Sequence, residues 1–513
     1  MNLIDRFLVF NNQDLAAPSC IYEGKVVTRG AFLRTVCDFT QALMDRGVQP
    51  GDVVGLSLGQ HPGHLAMILA VARLGAVSLP IHPGMAPRAR VAQLRRMGAS
   101  RVIVQAKGPD AGDAPAAPGP QGIEVIALGS LQVVPKEGRL ASRPDLRGLL
   151  PYWPAPSAPG RIGFTSGTTG QPNAVRYDHA FWLHRIETTI EHCDASTRLM
   201  AGNLHLTMGN ISAFAAMFAG GVVVFHKPHD QQSFIDSVNL YGVTHAMLPP
   251  AGIKKMAARL PLGVAFPSLR YLRIVGGGLS ENLVDLATSR LTPHVYLPYG
   301  ISEVGAISMA TPEDLRKYPD LAGQPKPGVM IEVVSAEGQV LLPGEVGELR
   351  VKLPMMLPGY HLNEERSKER FKEGWFYTND IGTLTADGYV RIDGRKDDRI
   401  NLGGTKFYPD RVERVLDAHP EVLEVGVFAS KVRGETMLVA AVVWKDQPKV
   451  TALMAYCKTQ RLAEGFVPQV VLSVAQLPRN EAGKVLRSEL SVLLAAQLLQ
   501  LDTTGSSEKP VLH

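Results

Sequence analysis

The sequence predicts an α/β protein with mixed or parallel sheets flanked by helices, joined to a second, smaller α+β unit. Three observations predict it. Helical and strand patterns alternate through the first half. After about residue 330 the pattern changes to short antiparallel strands with turns between them. From 394 onward a smaller βαβ-type unit follows.

In chain order, residues 30–46 carry helical periodicity and stop at Gly47, 52–58 read as a strand, and 64–74 as a helix. Short apolar strands follow at 76–80 and 101–105. The stretches 108–122 and 150–160 are rich in proline and glycine and read as loops. Residues 213–225 are the longest apolar run; Gly220 and Gly221 break it, so it reads as a core helix running into a strand, too short to span a bilayer. Antiparallel strands are expected at 331–334, 346–352 and 388–393. The smaller unit is expected to hold a helix at 410–418, strands at 424–429 and 437–444, a helix at 451–461 and a strand at 469–474. The tail from Asp502 is polar and expected to be disordered.

At 513 residues the chain is too long for one ordinary core. A net charge of +5 gives no reason to invoke nucleic acid. Cys20, Cys37, Cys193 and Cys457 are far apart and show neither metal-ligand spacing nor a disulfide framework, which fits a reducing cytoplasm. Asp5 and Arg6 stand where a signal peptide would need an apolar core.

The strongest local signal is Phe164-Thr165-Ser166-Gly167-Thr168-Thr169-Gly170-Gln171-Pro172, with four hydroxyls and two glycines in six residues. Glycine lets the backbone approach an anion, while N–H groups and hydroxyls donate to phosphate oxygens. Gln171 replaces the lysine a Walker loop would carry. Further along come Arg273-Ile274-Val275-Gly276-Gly277-Gly278, Tyr299-Gly300-Ile301-Ser302-Glu303, Gly374-Trp375-Phe376-Tyr377-Thr378-Asn379-Asp380, Asp393-Gly394-Arg395-Lys396-Asp397, Gly403-Gly404-Thr405-Lys406 and Leu477-Pro478-Arg479-Asn480-Glu481-Ala482-Gly483-Lys484. Taken singly, Glu303 reads as well as a solvated loop acid, the segment 393–397 as a charged hairpin turn, and Lys484 as a surface lysine.

Taken as an ordered series, these segments resemble the adenylate-forming superfamily of acyl-CoA synthetases, peptide-synthetase adenylation domains and luciferases. The resemblance covers nearly the whole chain. It implies a large adenylation domain at 1–393 that includes a distorted β-barrel subdomain, a hinge at 394–397, a small mobile lid domain at 398–501 and a tail at 502–513. It further implies that ATP is held by Thr165, Ser166, Gly167, Thr168, Thr169 and Gly170, with Gly277, Gly278, Tyr299, Gly300, Ile301 and Ser302. Asp380, Ile392 and Arg395 would complete that site. Glu303 would hold Mg2+, and a hard cation does favour a carboxylate oxygen. Asp380 would accept from both ribose hydroxyls, since a carboxylate is acceptor-only. Lys484 would bridge the acid's carboxylate and the α-phosphate, and Asp397 would be the pivot. Gly403, Gly404 and Lys406 would line a thiol channel. His205, Asn210, Ile211, Phe214, Gly276 and Gly305 would surround the acid, although a structural role for His205 is equally in keeping with its type.

This chain departs from that pattern in three places. Ser302 replaces a threonine and keeps the hydroxyl. Asn379 replaces a glycine, which suits Asn if the backbone there has positive φ. Asn173 replaces a lysine that would help the outgoing pyrophosphate; Arg176 is the nearest candidate to compensate. The implied reaction activates a small carboxylic acid with ATP and Mg2+ and passes the acyl group to coenzyme A, or to the phosphopantetheine arm of a separate acyl or peptidyl carrier protein. A nucleotide binder that no longer adenylates is the alternative of another class, and a light-emitting oxygenase a remote third. No residue resembles the acid that would bind an amino acid's ammonium group.

Overall fold

The computed structural model describes residues 2–11, 14–105, 122–128, 154–165, 172–227, 230–276, 280–318, 321–402, 404–432, 434–460, 462, 466–479 and 484–503. Two sheets form the body of the large lobe. In one, the strands Glu124–Leu128, Ala99–Gln105, Val53–Ser57, Val77–Pro80 and Pro159–Phe164 lie parallel, and Ala174–Asp178 closes the edge antiparallel. In the other, a parallel run from Val295–Ile301 through Tyr271–Ile274, His245–Leu248, Arg198–Met200 and Val222–Val224 to Pro18–Tyr22 is flanked by antiparallel strands at both ends. The helices Pro62–Arg73 and Thr207–Phe218 are packed between these layers and are almost wholly buried. Their residues are mostly apolar on every face, as a helix covered on every side requires, with a few buried polar groups such as His64, Arg73, Asn210 and Ser212.

The expected elements of the first half are present with ends shifted by a few residues. The helix at 30–46 is Arg29–Asp45, started by Thr28, whose hydroxyl accepts from the Ala31 N–H. The segment 150–160 ends in strand rather than loop, because Pro159 and Gly160 open Pro159–Phe164. Residues 108–121 lie outside the described residues.

After residue 329 a curled antiparallel sheet follows, built from Met330–Val334, Gly347–Lys352, Trp375–Leu384, Phe371–Lys372 and Val390–Arg395. Its last two long strands pair Asp380 with Arg395. The segment Lys396–Asp398 is a single 3-10 turn leading into the small lobe.

In the small lobe, the two successive strands expected there are Val422–Val432 and Glu435–Trp444, which form an antiparallel hairpin. The parallel crossover is the next one, from Glu435–Trp444 through the helix Val450–Thr459 to Val470–Ser473. Two further helices, Arg487–Leu493 and Ala495–Thr503, follow, so the polar tail begins no earlier than residue 504. Among the described residues no helix is long and apolar enough to cross a membrane.

Candidate active site

A cleft of about 1390 Å3 separates the two lobes. Glu303, Tyr299, Asp380, Arg395, His205 and Lys484 all line it. The hairpin Val295–Ile301/Gly305–Ala310 delivers the first acid. Gly305 turns it at φ +106°, and a Cβ there would lie 2.9 Å from the Arg185 Nε. That space lets the buried Arg185 reach in and donate to the Ser302 carbonyl at 3.1 Å, where the Tyr177 hydroxyl also donates at 3.0 Å. Glu303 is thereby held at the cleft wall, and its Oε1 accepts from the Tyr360 hydroxyl at 2.7 Å. Burial and the neighbouring Glu303 charge push the Tyr360 phenol up, so it remains a donor.

Asp380 is held from two sides. Its Oδ2 accepts from the Tyr299 hydroxyl at 2.8 Å, and its Oδ1 lies 3.6 Å from the Arg395 guanidinium. The residue before it, Asn379, has φ +63°, the conformation its glycine-like position requires. The Asn379 amide donates to Asp397 Oδ2 at 2.7 Å, and Arg366 lies 3.6 Å from the same oxygen. The Asp397 carboxylate is thus tied to the strand Trp375–Leu384.

Lys484 comes from the small lobe and is half-buried at the same cleft. Burial pushes its ammonium pKa down, Arg395 adds to this, and Asp380, Asp410 and Glu303 oppose it. Gly276, Gly300, Ile301, Ser302, Gly305 and Ile392 also line the cleft. Thr165 lines it too, its N–H donating to the Asn173 carbonyl at 2.9 Å. Ser166, Gly167, Thr168, Thr169, Gly170, Gly277, Gly278 and Gly403 lie outside the described residues. Among those described, no cluster of three metal-ligating side chains is present. Mg2+ keeps several waters and takes one or two carboxylates together with phosphate oxygens, so the single Glu303 carboxylate at the cleft wall fits it without such a cluster.

The structure does not bring every expected residue to the cleft. Thr207, Met208 and Gly209 line the cleft, whereas Asn210, Ile211 and Phe214 do not. Ile211 and Phe214 are in the large-lobe core, where the Phe214 ring meets Trp182 edge-on, and Asn210 donates back to the Leu206 carbonyl of its own helix. A helix turns about 100° per residue, so a register error of two or three residues exchanges wall for core. Gly404 and Lys406 sit on the hairpin Ile400–Leu402/Thr405–Phe407 and are also absent from the cleft wall. Arg176 is exposed on the strand Ala174–Asp178 and cannot compensate for Asn173. Cations that sequence reasoning missed are Arg185, Arg366 and Arg370, all at the cleft. The last two come from the helix Glu364–Arg370, whose cap residue Asn363 donates to the Asn173 carboxamide oxygen at 2.9 Å.

Several histidines are held neutral by burial. His61, His179, His205 and His245 are each lowered to about 4, with burial the largest cause in every case. An unfolded histidine titrates near 6.5. Between those values the unfolded chain binds more protons than the native one, so this contribution is complete above pH 6.5 and is lost as pH falls toward 4. The midpoint of thermal unfolding is therefore expected to drop steeply over that window, and His205→Gln to shallow the slope. A midpoint independent of pH between 6.5 and 4 would contradict this.

A family model for AMP-binding enzymes matches residues 9–361, and one for the AMP-binding enzyme C-terminal domain matches 411–484. The fatty acid–acyl-carrier-protein ligase ScoC of Streptomyces coeruleorubidus is 30% identical over 490 residues, 92% of each chain. The 2-succinylbenzoate–CoA ligase of Bacillus licheniformis is 32% identical over 334 residues, 64% of this chain and 69% of that one. Among solved structures, o-succinylbenzoate CoA synthetase from Bacillus subtilis, in complex with its acyl-adenylate intermediate, superimposes with a TM-score of 0.81 at 22% identity, covering 99% of both chains.

Proposed function

Because the chain belongs to the AMP-binding enzyme family, we propose that it is an AMP-forming acid–thiol ligase. It activates a carboxylic acid with ATP and passes the acyl group to a thiol. The observation that carries this reading is that Lys484 of the small lobe faces the same cleft as Glu303, Asp380 and Tyr299 of the large one.

In the first half-reaction the acid's carboxylate oxygen attacks the α-phosphorus of ATP, and the bond to pyrophosphate breaks. Lys484 neutralises charge shared between the carboxylate and the α-phosphate as the new bond forms. Asp380, held by Tyr299 and Arg395, orients the ribose. When bound, Mg2+ at Glu303 screens the phosphate charge. In the second half-reaction the thiol attacks the acyl carbonyl and AMP leaves. We place the pivot at Asp397 and the thiol's route at Gly404 and Lys406, which a rotation of the small lobe would bring to the cleft.

Coenzyme A is the acceptor we favour. It is the thiol named in the 2-succinylbenzoate and indoleacetate ligases that this chain resembles. A specific observation supports a second reading: a relative matched over 92% of this chain is a fatty acid–acyl-carrier-protein ligase. Product analysis with coenzyme A, then with carrier proteins, separates the two. The four cysteines are free thiols, in keeping with a cytoplasmic location.

The general test is acid-dependent ATP–pyrophosphate exchange over a broad acid panel. No exchange with any acid would leave a non-catalytic nucleotide binder. Asn173 also requires a different cation for pyrophosphate, and Arg366 at the cleft meets that need. Arg366→Ala is expected to slow exchange about tenfold, and Asn173→Lys in that background to recover most of it. No recovery would remove Arg366 from that role.

A further inference from the structure

The strand Tyr271–Ile274 carries a cation, Arg273 at the head of the segment 273–278, to which neither the resemblance nor the reaction above gives a role. Arg273 is 6% exposed. Its Nη2 donates to the Ser212 hydroxyl at 2.7 Å, its Nη1 lies 3.9 Å from the Met208 sulfur, and its guanidinium sits over the Tyr271 ring at 5.6 Å. Its Nε has no partner among the described residues, and the nearby Tyr271 hydroxyl has none either. Every one of these neighbours is neutral. Burial raises the Tyr271 phenol to about 12 and the Cys193 thiol to about 11, and it lowers His192. No carboxylate among the described residues pairs with Arg273.

A buried cation without a counter-ion is costly, and replacing it with a well-packed apolar side chain would usually stabilise a protein. The chain keeps it at one particular place. Arg273 is paired in register with Met247 of the adjacent strand, and both Met208 and Met247 line the cleft. The Ser212 hydroxyl lies 3.9 Å from the Met247 sulfur, so the guanidinium and the hydroxyl contact the two thioethers that line the wall. Methionine is unbranched and adapts its shape readily. A ligand pressing on Met208 and Met247 can therefore uncover the guanidinium without moving backbone. Along the strand, Arg273 lies two residues before Val275, itself at the cleft, which puts it about 7 Å deeper than the strand end where the chemistry takes place.

We propose that Arg273 is a specificity-determining residue that selects an acid carrying a second carboxylate, remote from the one that is adenylated, and pairs with that distal group at the floor of the acid pocket. This rests on the acid-activating reading above and names its substrate class. The two oxygens of a carboxylate match the planar fork of a guanidinium. The same charge rejects the ammonium group of an amino acid. A monocarboxylic acid of equal length would leave the cation buried and unpaired.

The test is exchange measured with matched pairs of straight-chain mono- and dicarboxylic acids of three to ten carbons, with phenylacetate and carboxyphenylacetate as the aryl pair. At least one dicarboxylic acid is expected to exceed its partner about tenfold or more in kcat/KM. Arg273→Met should reverse that order, and Arg273→Lys should keep the preference in weaker form. Wild-type preference for the monocarboxylic acid of every pair overturns the proposal, as does an unchanged preference in a folded Arg273→Met. If Arg273→Met does not fold, the wild-type ranking and Arg273→Lys decide. If no acid supports exchange, the reaction assignment fails separately. The change in thermal midpoint caused by each dicarboxylic acid in the presence of AMP then decides: a rise in wild type absent from Arg273→Met supports the proposal, and no rise in either overturns it.

Discussion

Lys484→Ala is expected to lower acid-dependent ATP–pyrophosphate exchange by about a hundredfold to a thousandfold while leaving nucleotide binding intact. The ammonium group stands in a cleft whose other charges are fixed before substrate arrives: Arg395 against it, Asp380, Asp410 and Glu303 in its favour. In the ground state the triphosphate and the acid's carboxylate are far enough apart to be screened separately. In the transition state they share charge at one point, and a cation held there stabilises that point more than either reactant. Removing it raises the barrier without disturbing the Tyr299–Asp380 pair, to which nucleotide binding was assigned above. Lys484→Arg should not rescue, since a planar fork cannot occupy the place of a compact ammonium group. Burial and Arg395 lower the lysine's pKa, and the ammonium is the active form. Activity should therefore fall as pH rises, with a midpoint below the ordinary lysine value near 10.4. Wild-type exchange in Lys484→Ala would take that residue out of the reaction.

The residues that sequence patterns located well are those whose chemistry is local. Asn379 follows from one requirement, a backbone position that tolerates positive φ, and its φ of +63° meets it. Glu303, Asp380 and Lys484 each stand in a short segment with glycine or proline fixing the turn, so their approach to one cleft could be expected. The acid-side wall was not legible to the same degree. The helix Thr207–Phe218 is buried on nearly every face, so its periodicity gives no direction, and Met208 and Asn210 are equally plausible from sequence. The small-lobe hairpin was legible as two successive strands, but short apolar runs do not distinguish parallel from antiparallel neighbours; the signal for the latter is Gly434, at φ +77°. The cations Arg185 and Arg366 belong to no motif, and Arg273 opens the segment 273–278 without a pattern that marks its role; only the fold shows what each of them meets.

The second large effect is expected where the lobes meet. Lys254, on the large-lobe helix Pro250–Ala257, is nearly buried and reaches across to the small lobe. Its Nζ donates to Asp417 Oδ1 at 2.6 Å, to the Asp417 carbonyl at 3.0 Å and to the Val422 carbonyl at 3.4 Å. Asn282 donates to the Ala418 carbonyl beside it. In this structure these bonds accompany Lys484 at the cleft; under the lobe rotation proposed above they would hold the adenylating orientation. Truncating one partner of a buried, hydrogen-bonded charge pair costs about 2–5 kcal/mol. Each 1.4 kcal/mol is about tenfold in the lobe equilibrium, so Lys254→Met should slow exchange by about tenfold to a hundredfold once the closed orientation is no longer dominant. The thiol step, started from a chemically prepared acyl-adenylate, should be unchanged or faster, because that step needs the opposite orientation. The neighbouring pair Lys255–Glu424, at 3.0 Å, has a lysine side chain 44% exposed and serves as the control. Lys255→Met should cost less than about 1 kcal/mol and leave both steps near wild type. Equal slowing of both half-reactions by Lys254→Met would mean that the contact supports the fold rather than one orientation of the lobes, and exchange at the wild-type rate would mean that it supports neither.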